Sequence, residues 1–189
     1  MPRLICRLLV LSVVLSSLLS ITPLAHAAPA TRTPAPAPTA TRTPTPTSGT
    51  LDPEERAFLS LINNYRQTHG LAPLSLNPTL TTASKWMSQD MASKNYFSHT
   101  DSLGRDLFQR MAAFGYTATT AKGENIAAGY QTAAAVFDGW KASAGHNANM
   151  LSSSYTVIGI GRAYDANSTY GWYWTPTSAA CDQLTEAWS

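Results

Sequence analysis

Two histidines and one carboxylate stand in short polar segments of this chain. His99 lies in Tyr96-Phe97-Ser98-His99-Thr100, ahead of Asp101-Ser102. Glu124 lies in Gly123-Glu124-Asn125-Ile126-Ala127, and His146 in Gly145-His146-Asn147-Ala148-Asn149. Imidazole and carboxylate move protons near neutral pH and ligate divalent metals. Two imidazoles can hold a zinc ion that acidifies its bound water, with Glu124 as general base or as the partner that orients a histidine. A metal-free arrangement takes Ser143 as nucleophile, a histidine as base and Glu124 as orienter. Spacing alone leaves plainer readings open: His99 as a loop residue, Glu124 as a solvated carboxylate, His146 as a helix-start residue, Ser143 as a small helix-end residue. No HExxH or CxxC element fixes a metal geometry, and no nucleophile-elbow motif surrounds Ser143. His69, at the end of a helix pattern, reads as a capping residue whose charge suits the helix dipole.

The elements that must position these residues follow from periodicity and capping. Asp52-Pro53 starts a first helix, with Phe58, Ile62 and Tyr65 on one face and His69-Gly70 as its stop. Asn77-Pro78 starts a second, striped by Leu80, Ala83, Met87 and Met91. A third is expected over Leu103 to Phe114, and a fourth from Thr132, burying Ala133, Val136, Phe137 and Trp140. Tyr155 to Tyr164 and Thr169 to Thr175 read as an antiparallel hairpin across the turn Asp165-Ala166-Asn167-Ser168. Gly159 and Gly161 share one face of it and would let another layer approach closely. The aromatics Tyr170, Trp172, Tyr173 and Trp174 could line a carbohydrate or lipid groove; the expectation is that alternate members pack the sheet core while the others cover its rim, and they are not counted as ligand residues. Helices first and strands last predict an α+β fold.

Flanking segments have different chemistry. Arg3 and Arg7, an apolar run from Leu8 to Leu19, and Ala25-His26-Ala27 form the layout of an export signal over residues 1–27. The run is too short to span a bilayer, so no membrane span is expected after cleavage. Residues 28–50 are nearly all Ala, Pro and Thr, an extended tether whose Thr-Pro pairs are potential sites of O-linked sugars. Of 13 basic and 11 acidic residues, removal of Arg3 and Arg7 leaves 11 of each. A neutral chain without a basic patch excludes nucleic acid as the expected partner. Cys6 leaves with the signal, and Cys181 remains without an intramolecular partner.

Taken together, four ordered segments resemble the CAP superfamily, which groups cysteine-rich secretory, antigen 5 and pathogenesis-related proteins, and most closely its disulfide-free bacterial branch. They are LINNYRQTHGLAPLSLNPTLTTASKWMSQDMASKNYFSHTDSLG, GYTATTAKGENIAAG, AVFDGWKASAGHNANMLSSSYTVIGIGRAYD and YGWYW. The resemblance implies a three-layer α-β-α sandwich around a small antiparallel sheet, occupying residues 51–177, with residues 178–189 as a tail. It also implies a cleft lined by His99, Glu124 and His146, with zinc or a similar metal on His99 and His146 in some members. The second acid of animal and plant relatives falls at Ser143. That departure makes the site less anionic and weakens chemistry that needs two carboxylates. At Thr175-Pro176-Thr177 the last strand is expected to stop or lie at an edge, since proline cannot donate a ladder hydrogen bond. The expected function is an exported, extracellular or surface-associated module binding a small ligand, lipid, divalent metal or envelope component. The alternative is a metal-dependent or serine-type hydrolase.

Overall fold

Helix α1 (Pro53–Thr68) begins as its sequence predicts. Asp52 accepts from the Glu55 amide at 2.8 Å, and the Glu55 side chain returns to the Asp52 amide at 2.7 Å. His69 is the C-cap, its Nδ1 lying 2.9 Å from the Tyr65 carbonyl, and Gly70 takes the left-handed conformation that ends the helix. The computed structural model describes residues 50–180. The export signal, residues 28–49 of the tether, Cys181 and the tail from residue 181 lie outside the described residues.

Helix α2 (Pro78–Lys94) is capped by Asn77, which accepts from the Leu80 amide at 2.9 Å. The third helix is shorter than expected. Asp101 takes the amides of Leu103 and Arg105 into a side-chain turn, so α3 (Leu107–Ala113) starts only at the capping box of Asp106 and Gln109. Helix α4 (Ala133–Lys141) starts at Thr132 as expected. A fifth helix, α5 (Ala144–Met150), carries His146.

Among the described residues, five strands form one sheet: β1 (Ser75–Leu76), β2 (Lys122–Glu124), β3 (Ala127–Ala128), β4 (Val157–Tyr164) and β5 (Trp172–Ala179). The predicted hairpin is β4–β5, with Tyr164 opposite Trp172 and Val157 opposite Ala179. Both β2 and β3 pair antiparallel with the far side of β5, and β1 pairs parallel with β4. The sheet is therefore mixed rather than wholly antiparallel. Strand β5 also does not stop at Pro176. The Pro176 carbonyl accepts from the Asn125 amide at 3.1 Å, on the side facing β2 and β3. A residue's N and C=O point to the same side of a strand, so the missing N–H falls at the break between β2 and β3, where no ladder bond is lost.

Both faces of the sheet are covered, which gives the three-layer sandwich. On one face α2 packs on β4 and β5. A Cβ at Gly159 would strike the backbone of Leu80 and Thr81, and one at Gly161 the backbone of Ser84 and Lys85. On the other face α1 and α4 cover Ile158, Ile160 and Trp174, with Phe58 edge-on to Trp140 at 5.3 Å. Tyr173 and Trp174 are therefore both fully buried, one on each face, while Trp172 stacks under the Arg162 guanidinium at 3.7 Å. Gly159→Ala should cost about 2–3 kcal/mol in urea unfolding, because the obstacle is helix backbone that cannot swing away. An unchanged midpoint would mean that α2 does not approach the sheet this closely.

Candidate functional site

The site is assembled from the end of α2, strand β2 and helices α3 to α5. His99 sits beyond α2 in a loop fixed from two directions. Asp90 accepts from the Ser102 amide at 2.8 Å and from the Tyr96 hydroxyl, and Arg110 Nη1 donates to the His99 carbonyl at 3.1 Å. Burial and the Asp90 carboxylate push the Tyr96 phenol far upward, so it remains a donor to Asp90.

Glu124 ends β2 with its side chain 1% exposed. One oxygen, Oε1, lies 2.9 Å from His99 Nδ1, and the other pairs with the Arg110 guanidinium, itself 1% exposed. Thr177 Oγ1 lies 3.5 Å from the same oxygen as Arg110. An ionised Glu124 only accepts, so His99 carries its proton on Nδ1 and turns Nε2 outward. The His99 side chain is 57% exposed at the cleft.

His146 lies in the first turn of α5, with Nδ1 2.9 Å from Ser143 Oγ. Burial, and secondarily the nearby His99, hold its pKa below the ordinary 6.5, which favours the neutral imidazole at neutral pH. Two asparagines tie α5 to the Glu124 segment. Asn125 Nδ2 donates to the His146 carbonyl at 3.1 Å, and Asn149 Nδ2 donates to Asn125 Oδ1 at 3.0 Å and to the Glu124 carbonyl at 3.3 Å. The buried Arg66 closes the far end of α5 through the carbonyls of Met150, Ser152 and Tyr155.

His99, Ser143 and His146 line one open cleft of about 730 Å³, together with Phe97, Ile126, Tyr130, Trp140 and Tyr170. Glu124 does not line it; it stands behind His99. Sequence reasoning missed Arg110, which a buried glutamate would have demanded as counter-charge but which no motif marks. It also left Tyr170 among the aromatics of the sheet core and rim and off the ligand residues, whereas Tyr170 precedes β5 and forms part of the cleft wall.

This arrangement changes what the site can do. The triad that the sequence allows is divided between two histidines: Ser143 pairs with His146, while Glu124 orients His99. For a metal, the cleft offers the two Nε2 atoms, since both Nδ1 atoms have protein partners and Glu124 is engaged by Arg110. Among the described residues no group of three or more His, Cys, Asp or Glu is placed to hold a metal ion. Two imidazoles fall short of the three protein ligands of a catalytic zinc, so the donor set does not fit one.

Comparison with known proteins gives a consistent picture. The family model described as "Cysteine-rich secretory protein family", CAP, matches residues 59–176. The uncharacterized protein YkwD of Bacillus subtilis is 41% identical over 107 residues, which cover 57% of this chain and 41% of that protein. A second B. subtilis relative, the uncharacterized membrane protein YlbC, is 36% identical and matched over 31% of its length. The chain thus spans less than half of the curated relatives it matches. Among solved structures, an extracellular protein containing a SCP domain from Bacillus anthracis superposes with a TM-score of 0.61 at 28% identity, over 71% of this chain and 45% of that one. An outer surface protein of Borrelia burgdorferi has the same TM-score at 18% identity, over 71% of this chain and 98% of its own, and so shares the fold.

The buried pair makes a direct prediction. Arg110→Met removes the buried guanidinium from the Glu124 carboxylate, leaving it only His99 and Thr177, and should cost about 3–5 kcal/mol in urea unfolding. Adding Glu124→Gln should recover part of that loss. Costs that simply add would mean that the two side chains do not interact.

Proposed function

We propose, from the premise that this chain belongs to the cysteine-rich secretory protein family, CAP, that its cleft binds a small ligand outside the cell and holds it without turnover. The observation that carries this reading is the withdrawal of Glu124. Its carboxylate is committed to Arg110 and His99 beneath the surface, and the groups that face the cleft are imidazoles, hydroxyls and aromatic rings. A site of this size, largely apolar with a few convergent polar atoms, is of the kind that holds small molecules.

The extracellular assignment rests on the export-signal pattern of residues 1–27 and on relatives described as extracellular or outer-surface proteins. Among the described residues no helix is long and apolar enough to cross a membrane. A lipid or an envelope component remains within this reading as the ligand. A divalent metal would have to take its further ligands from water or from the bound molecule.

A second reading, hydrolysis, is favoured by the 2.9 Å contact of Ser143 Oγ with His146 Nδ1. Among the described residues it lacks the third member, because Glu124 is turned to the other histidine. Screening a fragment library by ligand-observed NMR separates the two. Cleft ligands should lose about tenfold or more in affinity in Ala128→Trp, where the new ring fills the cleft, while peptide and ester substrates stay at background. Turnover that disappears in Ser143→Ala would replace binding by hydrolysis.

A further inference from the structure

The cleft has a division of character that narrows its ligand. At its rim stand Phe97, Tyr130 and Tyr170, 46%, 37% and 52% exposed. Exposed rings grouped around a concavity are costly unless something covers them. These are also held in place: Phe97 meets Tyr170 edge-on at 6.3 Å, and Tyr170 is braced at 6.1 Å by the buried Tyr173. Tyr130 is seated on α4 where Gly139 leaves room, since a Cβ there would press on the Tyr130 ring at 2.8–3.3 Å.

The polar atoms that share the cleft belong to imidazoles and hydroxyls, hydrogen-bonding groups rather than lysine, arginine or carboxylate side chains. Both Nδ1 atoms are taken by protein, which leaves the Nε2 atoms of His99 and His146 for whatever enters. The Ser143 hydroxyl is beside them, and Ser98 Oγ, which accepts from the Thr100 amide at 3.0 Å, keeps its own proton to donate. Among the described residues lining the cleft there is no Lys, Arg, Asp or Glu. An anionic headgroup or a phosphate would find no lysine or arginine in the described lining, and a cationic ligand no carboxylate. A wholly apolar ligand would cover the imidazole and hydroxyl groups without replacing the hydrogen bonds that water gave them, at a penalty for each.

Flat faces of C–H bonds edged with neutral hydroxyls satisfy both halves. We infer that the ligand of the cleft is a neutral oligosaccharide, its C–H faces laid on Phe97, Tyr130 and Tyr170 and its hydroxyls bonded to His99, Ser143 and His146. This names the ligand class of the site and rests on the binding reading above. The rings supply area without rotamer-rich side chains to immobilise, and the polar end fixes orientation.

The test uses the purified chain with two uncharged probes, N-acetylchitotetraose and cellotetraose, and one neutral lipid, monolaurin below its micellar concentration. Backbone and side-chain NMR shifts locate binding, and titration gives the affinity. At least one tetrasaccharide should shift Ser143, His146 and Tyr170, and its affinity should fall about tenfold in Tyr170→Ala and in Phe97→Ala. Both side chains are exposed, and an unchanged thermal midpoint confirms that each variant is folded. Saccharide affinity unaltered in both variants would overturn the inference. So would monolaurin binding in the cleft where neither saccharide binds, and the broader binding reading would then stand. If neither saccharide, nor monolaurin, nor any library fragment bound there, both would fall.

Discussion

A carboxylate and a guanidinium, both 1% exposed, face each other where β2 meets α3. Neither charge could be buried alone, since desolvating one costs several kcal/mol, and their mutual attraction offsets this only if the remaining polar atoms also find partners. Those partners define the site. Glu124 gives its second oxygen to His99 Nδ1, and Arg110 gives a second amino group to the His99 carbonyl. One ion pair thus sets both the backbone and the ring of a single histidine. The short helix α3, with its Asp106–Gln109 capping box, is what delivers Arg110 to that position.

The other half of the cleft depends on the same strand by a different route. Asn125, one residue beyond Glu124, holds the His146 carbonyl, and Asn149 returns from α5 to both Asn125 and Glu124. Two histidines from distant parts of the chain are therefore referred to two adjacent residues, Glu124 and Asn125. Their roles differ, however. His99 is fixed by a buried carboxylate and is half-exposed, while His146 is partly buried, biased toward its neutral form and paired with a hydroxyl. Dividing acid and serine between two imidazoles suits a surface that recognises more than one that relays protons.

What could be read from the sequence was whatever is encoded locally. Asp52, Asn77 and Thr132 cap the helices they were expected to cap, Gly70 ends α1, and Gly159 and Gly161 admit α2 because only glycine fits there. The two histidines and Glu124 were recognisable because they lie in segments that resemble a family. Features that depend on distant partners were hidden. Helix α5 has the sequence AGHNANM, poor in helix formers, and is held from outside by Arg66 and Asn125. The strands β1, β2 and β3 are too short to show a period. Pro176 on its own points to a strand that stops or lies at an edge, but β5 is paired on both sides and the break between β2 and β3 removes the need for its N–H. Tyr170 was grouped with its neighbours Trp172 to Trp174, although it lies before β5, outside the alternation of the strand.

The central claim is that Glu124, anchored by Arg110, holds His99 with its proton on Nδ1 and presents Nε2 to the cleft. A long-range ¹H–¹⁵N spectrum of the imidazoles, recorded above their titration range, reads this state directly. The account predicts a protonated Nδ1 and a bare Nε2 for His99 in the wild-type chain, with mixed tautomers in Glu124→Ala. A His99 protonated on Nε2, or tautomers already mixed in the wild type, would contradict it.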